Sequence, residues 1–95
     1  MSEGEVFPVP AEWAERTHMD AKAYEAACAR AGADPEGYWR DVAGRLTWSK
    51  PFTQVKDVSF DAADFHIRWF ADGELNVSVN CLDRHLPHRA DQIAI

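Results

Sequence analysis

Hydrophobic positions recur along the chain with two different periods, and the change falls in its second half. Up to Leu46 the spacing is helical. Behind Asp20, a candidate N-cap, the residues Tyr24, Ala27, Cys28 and Ala31 fall at intervals of three and four, and Gly32 offers a left-handed stop. Asp34-Pro35-Glu36 then supplies a cap, a first-turn proline and an early acid for the next helix, whose apolar stripe is Trp39, Val42, Ala43 and Leu46. Gly44 inside that pattern costs about 1 kcal/mol against Ala, so it marks either a close packing contact or a helix fraying toward Leu46. Ahead of both, Pro8 and Pro10 keep the chain extended, and Pro10 can open a short helix through Ala11, Trp13 and Ala14.

Residues 47–57 read mostly as a connector. Beyond Pro51 the period becomes two: Phe65, Ile67 and Trp69 alternate with His66, Arg68 and Phe70 as in a strand, and Asp72-Gly73 makes a tight turn. Two templates fit the segment from Leu75 onward. Leu75, Val77, Val79 and Cys81 alternate as a returning hairpin strand would, while Leu75, Val79, Leu82 and Leu86 sit at helical spacing behind an Asn76 cap. Local propensity favours the hairpin, but only the helical template extends to Leu86, and on length the helix is preferred. Pro87 is expected to end it, with His88-Arg89-Ala90-Asp91 as a polar turn and Gln92-Ile93-Ala94-Ile95 as the start of a strand. A strand left without a partner exposes its apolar faces and unpaired amides, so the sequence is expected to be cut from something longer. The predicted fold is mainly α with one or two short strands, a small α+β fragment forming one unit over residues 1–95, compact only where helices cover the aromatic strand.

Composition limits what such a unit can do. At 95 residues and 46% hydrophobic content there is room for one core, and a chain this short buries only about 60–65% of the surface its unfolded form exposes. The net charge of −6 and pI near 5.0, with ten Lys and Arg scattered from Arg16 to Arg89, argue against nucleic acid and against an anionic membrane surface. No run approaches the roughly 18 apolar residues of a membrane span. The acidic opening Met1-Ser2-Glu3-Gly4-Glu5, running into Val6-Phe7-Pro8-Val9-Pro10, has neither the basic nor the apolar region of a signal peptide, which predicts a soluble, cytoplasmic protein. Cys28 and Cys81 accordingly read as buried free thiols and not as a disulfide.

Catalytic chemistry finds little support. The five glycines are scattered, whereas a phosphate-binding loop needs them clustered to bring amides against the anion. Ser2, Ser49, Ser59 and Ser78 lie in no nucleophile context. One polar group stands out: Asp83-Arg84-His85 with His88 and Asp91, where two histidines at i and i+3 could share a metal. Pro87 separates them, no further ligand pattern completes a site, and Arg84 and His85 near a helix C-terminus are explained by the helix dipole. Of the four tryptophans, Trp39 falls on the helix stripe and Trp69 on the strand face, which suits a core or docking surface better than a ligand platform, while Trp13 and Trp48 are undetermined. No catalytic, cofactor-binding or metal-binding residue is assigned.

The run Trp69-Phe70-Ala71-Asp72-Gly73-Glu74-Leu75-Asn76, leading through Val77-Ser78-Val79 into Asn80-Cys81-Leu82-Asp83-Arg84-His85-Leu86 and then an apolar Ala94-Ile95 ending, resembles the leading segment of AMP-forming acetyl-CoA synthetases. Asp34-Pro35-Glu36-Gly37-Tyr38-Trp39 and Leu46-Thr47-Trp48-Ser49-Lys50-Pro51-Phe52 are similar to the same family's aromatic helix and tryptophan-proline connector, so the resemblance covers about the whole chain. It implies a helix over residues 76–86. It also implies a parent reaction in which acetate, ATP and CoA give acetyl-CoA, AMP and diphosphate. ATP, Mg and CoA would be cofactors of the parent enzyme and not of this chain, because the phosphate loop, ribose aspartate, acyl-pocket tryptophan and catalytic lysine lie beyond Ile95 in that family. The expected role is structural: a segment packed against the adenylate-forming domain in cis or in trans, with Trp39, Trp69 and Ile93-Ala94-Ile95 forming an exposed apolar patch when it is alone. The alternative is a stand-alone interaction module that docks on a separate ligase chain.

Overall fold

Two aspartates and a proline set the helical half. In the computed structural model, which describes residues 4–95, the opening segment leads into α1 (Ala11–Ala14) behind Pro10, and Asp20 caps α2 (Ala21–Ala33) by accepting the Ala23 N–H at 2.8 Å. Met1, Ser2 and Glu3 of the acidic opening lie outside the described residues. Gly32 does not stop α2: it is helical, and no described glycine has a positive φ. The stop comes from Pro35, whose ring drives the preceding residue out of the α region, and Asp34 accordingly sits at φ −142°, ψ 80°. Asp34 then caps α3 (Pro35–Ala43) by accepting the Gly37 N–H at 3.1 Å. A Cβ on Gly37 would meet that carboxylate as it is placed, so a larger residue there would require the Asp34 side chain to turn. Arg30 pairs with Asp41 across α2 and α3 and lies 5.6 Å over the Tyr38 ring. Helix α3 ends with Gly44 as its C-cap, before its apolar stripe reaches Leu46, and Leu46 is exposed.

The class is the expected α+β, but among the described residues four short strands stand where one or two were predicted. β1 (Trp48–Lys50) pairs antiparallel with β4 (Glu74–Leu75), and β2 (Lys56–Ser59) with β3 (His66–Trp69), in register Lys56↔Trp69, Asp57↔Arg68, Val58↔Ile67 and Ser59↔His66. Residues 47–57 are thus no mere connector. Their strands are three and four residues long, too short for a period to show in sequence. The turn before β4 is closed by Gly73 N–H donating to Phe70 O at 3.0 Å.

Asn76 caps α4 (Val77–Cys81), its side chain accepting the Val79 N–H at 3.2 Å. The helix expected to run unbroken over residues 76–86 is instead split. Leu82, at φ −124° and ψ −68°, breaks it, a 3-10 turn covers Asp83–His85, and α5 (Leu86–Arg89) comes next. Pro87 opens α5 where it was expected to end a helix. A proline has no N–H to return to the preceding turn and is tolerated in a first turn, so the break moves upstream and His88 stays helical. Residues 92–95, expected to begin a strand, form none.

Little of this is covered. Among the described residues only Ala43, Val55 and Asn80 are buried. The radius of gyration is 19.0 Å, with extents of 49 × 43 × 25 Å. A compact domain of this length would have a radius near 12 Å.

Candidate docking surface

A polar staple holds the middle of the molecule. Asn80 accepts the Thr47 N–H at 2.7 Å and donates to Thr47 O and Asn76 O, both at 2.9 Å. One turn on, Arg84 Nη1 donates to Arg45 O at 2.6 Å, and the Trp48 indole N–H donates to Ala43 O at 3.0 Å. Just past the end of α3 the Arg45 carbonyl is thereby satisfied from the segment after α4, and Ala43 O, which also accepts the Leu46 N–H, takes a second bond from β1. Arg84 does meet a carbonyl near a helix C-terminus, but that carbonyl belongs to the turn after α3 and not to its own segment.

Above the staple lies a run of aromatic rings. Phe70 is the hinge of it, with ring centroids 4.7 Å from Phe52, 5.6 Å from Trp48 and 6.1 Å from Trp69, and Trp69 meets Trp39 edge-on at 6.0 Å. Phe70 holds φ at 50°, a left-handed value that costs a bulky residue about 1–2 kcal/mol, against which these contacts act. Gly73 is required beside it, because an added Cβ would stand 2.7 Å from Trp48 Cζ3. The Asp72 carboxylate anchors the turn to the loop after β1, accepting from the Thr53 hydroxyl and the Thr53 N–H, which hold its pKa below the usual carboxylate value. Between α3 and the rings opens a groove of about 420 Å³, walled by Trp39, Val42, Leu46, Trp48, Phe70 and Leu75.

The β2–β3 hairpin has two unlike faces. Partners across an antiparallel pair share a face, so Asp57 and Arg68 fall with Ser59 and His66 on the polar side of the twisted ribbon, and Val58 and Ile67 with Lys56 and Trp69 on the other. On the polar side His66 Nε2 lies 2.8 Å from Asp57 Oδ1 and Nδ1 lies 3.0 Å from Asp64 O, while Arg68 Nη1 reaches Asp57 Oδ2 at 3.4 Å. The hydrogen bond to Asp57 raises the His66 pKa, partial burial opposing it, and the same bond lowers that of Asp57. On the apolar side Lys56 stands 5.7 Å over the Trp69 ring, and Phe60 and Phe65 face each other at 5.9 Å.

Some of the residues singled out from sequence fall elsewhere than expected. His85 lies in the 3-10 turn and His88 in α5, and among the described residues no three His, Cys, Asp or Glu side chains converge on a point. Cys28 and Cys81 are free but exposed, not buried: Cys28 sits on the outer face of α2, and Cys81 at the end of a five-residue helix. Trp39 and Trp69 share the apolar surface as expected, Trp48 joins it, and Trp13 stands apart and exposed on α1. Sequence reasoning missed Asn80 and the His66–Asp57 pair. Only the second left a signal, the polar alternation of His66 and Arg68. Among the described residues no helix is long and apolar enough to cross a membrane.

Comparison with known proteins gives one consistent outcome. A family model described as the N-terminus of acetyl-coenzyme A synthetase matches residues 24–81. The acetyl-coenzyme A synthetase of Caulobacter vibrioides is 60% identical over 95 residues, spanning 100% of this chain and 15% of the relative. That of Novosphingobium aromaticivorans is 52% identical over 90 residues, 95% of this chain and 14% of the relative. That of Stutzerimonas stutzeri is 50% identical over 95 residues, 100% of this chain and again 15% of the relative. The chain therefore spans about one seventh of the curated relatives it matches.

Proposed function

The chain belongs to the acetyl-coenzyme A synthetase N-terminus family, and from that premise we propose that it is a non-catalytic packing segment of an AMP-forming acetate:CoA ligase, seated on the adenylate-forming domain. The observation that carries this reading is the bareness of the apolar surface. Two apolar residues, Ala43 and Val55, are buried, while Trp39, Leu46, Trp69, Leu82 and Leu86 are exposed among the described residues. Exposed apolar area of this extent belongs to a surface that another body covers.

The groove fits the same role. Its wall is apolar, and its one charged neighbour, Arg45, belongs to the turn after α3. We assign no residue here to ATP, Mg or CoA. The parent reaction, acetate activation with ATP and transfer to CoA in the cytoplasm, would proceed on the larger part. A release assay for AMP with acetate, ATP and CoA tests the assignment, run on the chain alone, on the matching downstream portion of a synthetase, and on the two mixed. Turnover only with the downstream portion present is expected, and turnover by the chain alone would refute the non-catalytic role. A second reading, docking in trans on a separate ligase chain, draws on the same exposed surface and predicts co-elution of the chain with an intact synthetase.

A further inference from the structure

We propose that the apolar face of the β2–β3 hairpin is the docking surface proper, and that its partner is the body of an acetyl-CoA synthetase, with the opposite, charged face left to solvent. This rests on the packing role proposed above and gives it an address. Phe60 is 76% exposed, Phe65 64%, Ile67 54% and Trp69 41%; the register puts Ile67 and Trp69 on one side of the ribbon, and Phe60 and Phe65, one residue beyond the last pair, meet ring to ring at its tip. A two-stranded hairpin is marginal in water without a further layer on its apolar side. Among the described residues that layer is aromatic only at the base, where Trp39 meets Trp69 edge-on, while Phe60 and Phe65 at the tip stay exposed. The other side needs no cover, since Asp57, His66 and Arg68 satisfy one another there.

The relatives identify the body that covers this face. In them the matching stretch is 14–15% of the polypeptide and is tethered to the remainder. Tethering holds that remainder at an effective concentration near millimolar, which a free second copy of the chain does not reach. The partner surface is apolar, to match Phe60, Phe65 and Ile67, with an acceptor at its rim for Lys56, whose ammonium ends over Trp69 at the base of the stripe.

The test is hydroxyl-radical footprinting read by mass spectrometry. It compares the isolated chain with an active chimera in which the chain replaces the matching stretch of the Caulobacter vibrioides synthetase. Oxidation of Phe60, Phe65 and Trp69 is expected to fall severalfold in the chimera, with Trp13 on α1 unchanged. A Phe65→Ser chimera is expected to regain oxidation at Phe60. If Trp48 and Phe70 become protected while Phe60 and Phe65 react as in the free chain, the groove and not the hairpin docks, and the inference falls while the packing role stands. If no aromatic is protected in the active chimera, both fall. Protection that develops in the free chain as its concentration is raised would assign the face to a second copy and overturn the inference.

Discussion

The staple around Asn80 and the β2–β3 hairpin lie in the same short chain and are held by different means. At the staple, backbone groups of residues 43–47 are bonded by side chains from α4, from the segment after it and from β1, over sequence separations of up to 39 residues. At the hairpin, the cross-strand ladder and one ion-paired face are internal, while on the apolar face Trp69 meets the edge of Trp39 and Phe60, Phe65 and Ile67 are exposed. One region carries its own tertiary contacts. The other has its strand pairing, and on the docking we propose its apolar face is completed from outside.

Breaking the staple should have the largest effect. Asn80→Ala removes four hydrogen bonds, the longest of them from Arg84 Nη1 at 3.4 Å, and strands the Thr47 N–H and C=O in a part-buried position, a loss of about 2–3 kcal/mol measured by urea denaturation. Gly73→Ala presses a methyl group into the Trp48 ring and should cost about 1–2 kcal/mol, with a change in the near-ultraviolet circular dichroism of the aromatic cluster. Asp34→Ala removes the cap of α3, for about 1 kcal/mol and a loss of helical signal, without touching either the staple or the hairpin.

The smallest effect is a pH dependence confined to the hairpin. The folded-state pKa of His66 is raised above 6.5, so its contribution is full below pH 6.5 and is lost as pH rises through the folded value. That of Asp57 is lowered from 3.8, so its contribution is present above pH 3.8 and is lost as pH falls through the folded value. Both shifts belong to one interaction, and the hairpin should be firmest between pH 3.8 and 6.5. Proton NMR of β2 and β3 amides across and beyond that range checks this, and His66→Gln should flatten the alkaline limb.

The helical half was legible because its instructions are local. Asp20, Asp34-Pro35 and Asn76 each act on a neighbour three residues away, and the caps appear where the sequence places them. Gly32 misled because a glycine signals a stop only when nothing nearer enforces one, and Pro35 does. The break at Leu82 was hidden by an apolar spacing that fits a continuous helix, and Pro87, read as the end of that helix, sits instead in the first turn of the next one. β1 and β4 were illegible for another reason: three- and two-residue strands have no period, and their pairing joins Trp48 to Leu75 across the length of the hairpin. Of the docking surface, Trp39 and Trp69 could be read from their stripes. Asn80 could not, because its importance lies in Thr47, 33 positions away.

Amide hydrogen exchange, compared between the isolated chain and the same chain joined to the body of a synthetase, tests the central contrast most directly. The Thr47 amide, bonded to Asn80, is expected to be protected in both, while the β2–β3 amides exchange fast in isolation and slow markedly once joined. Equal protection of staple and hairpin in the isolated chain would contradict this, since the hairpin would then need no outside surface to complete it.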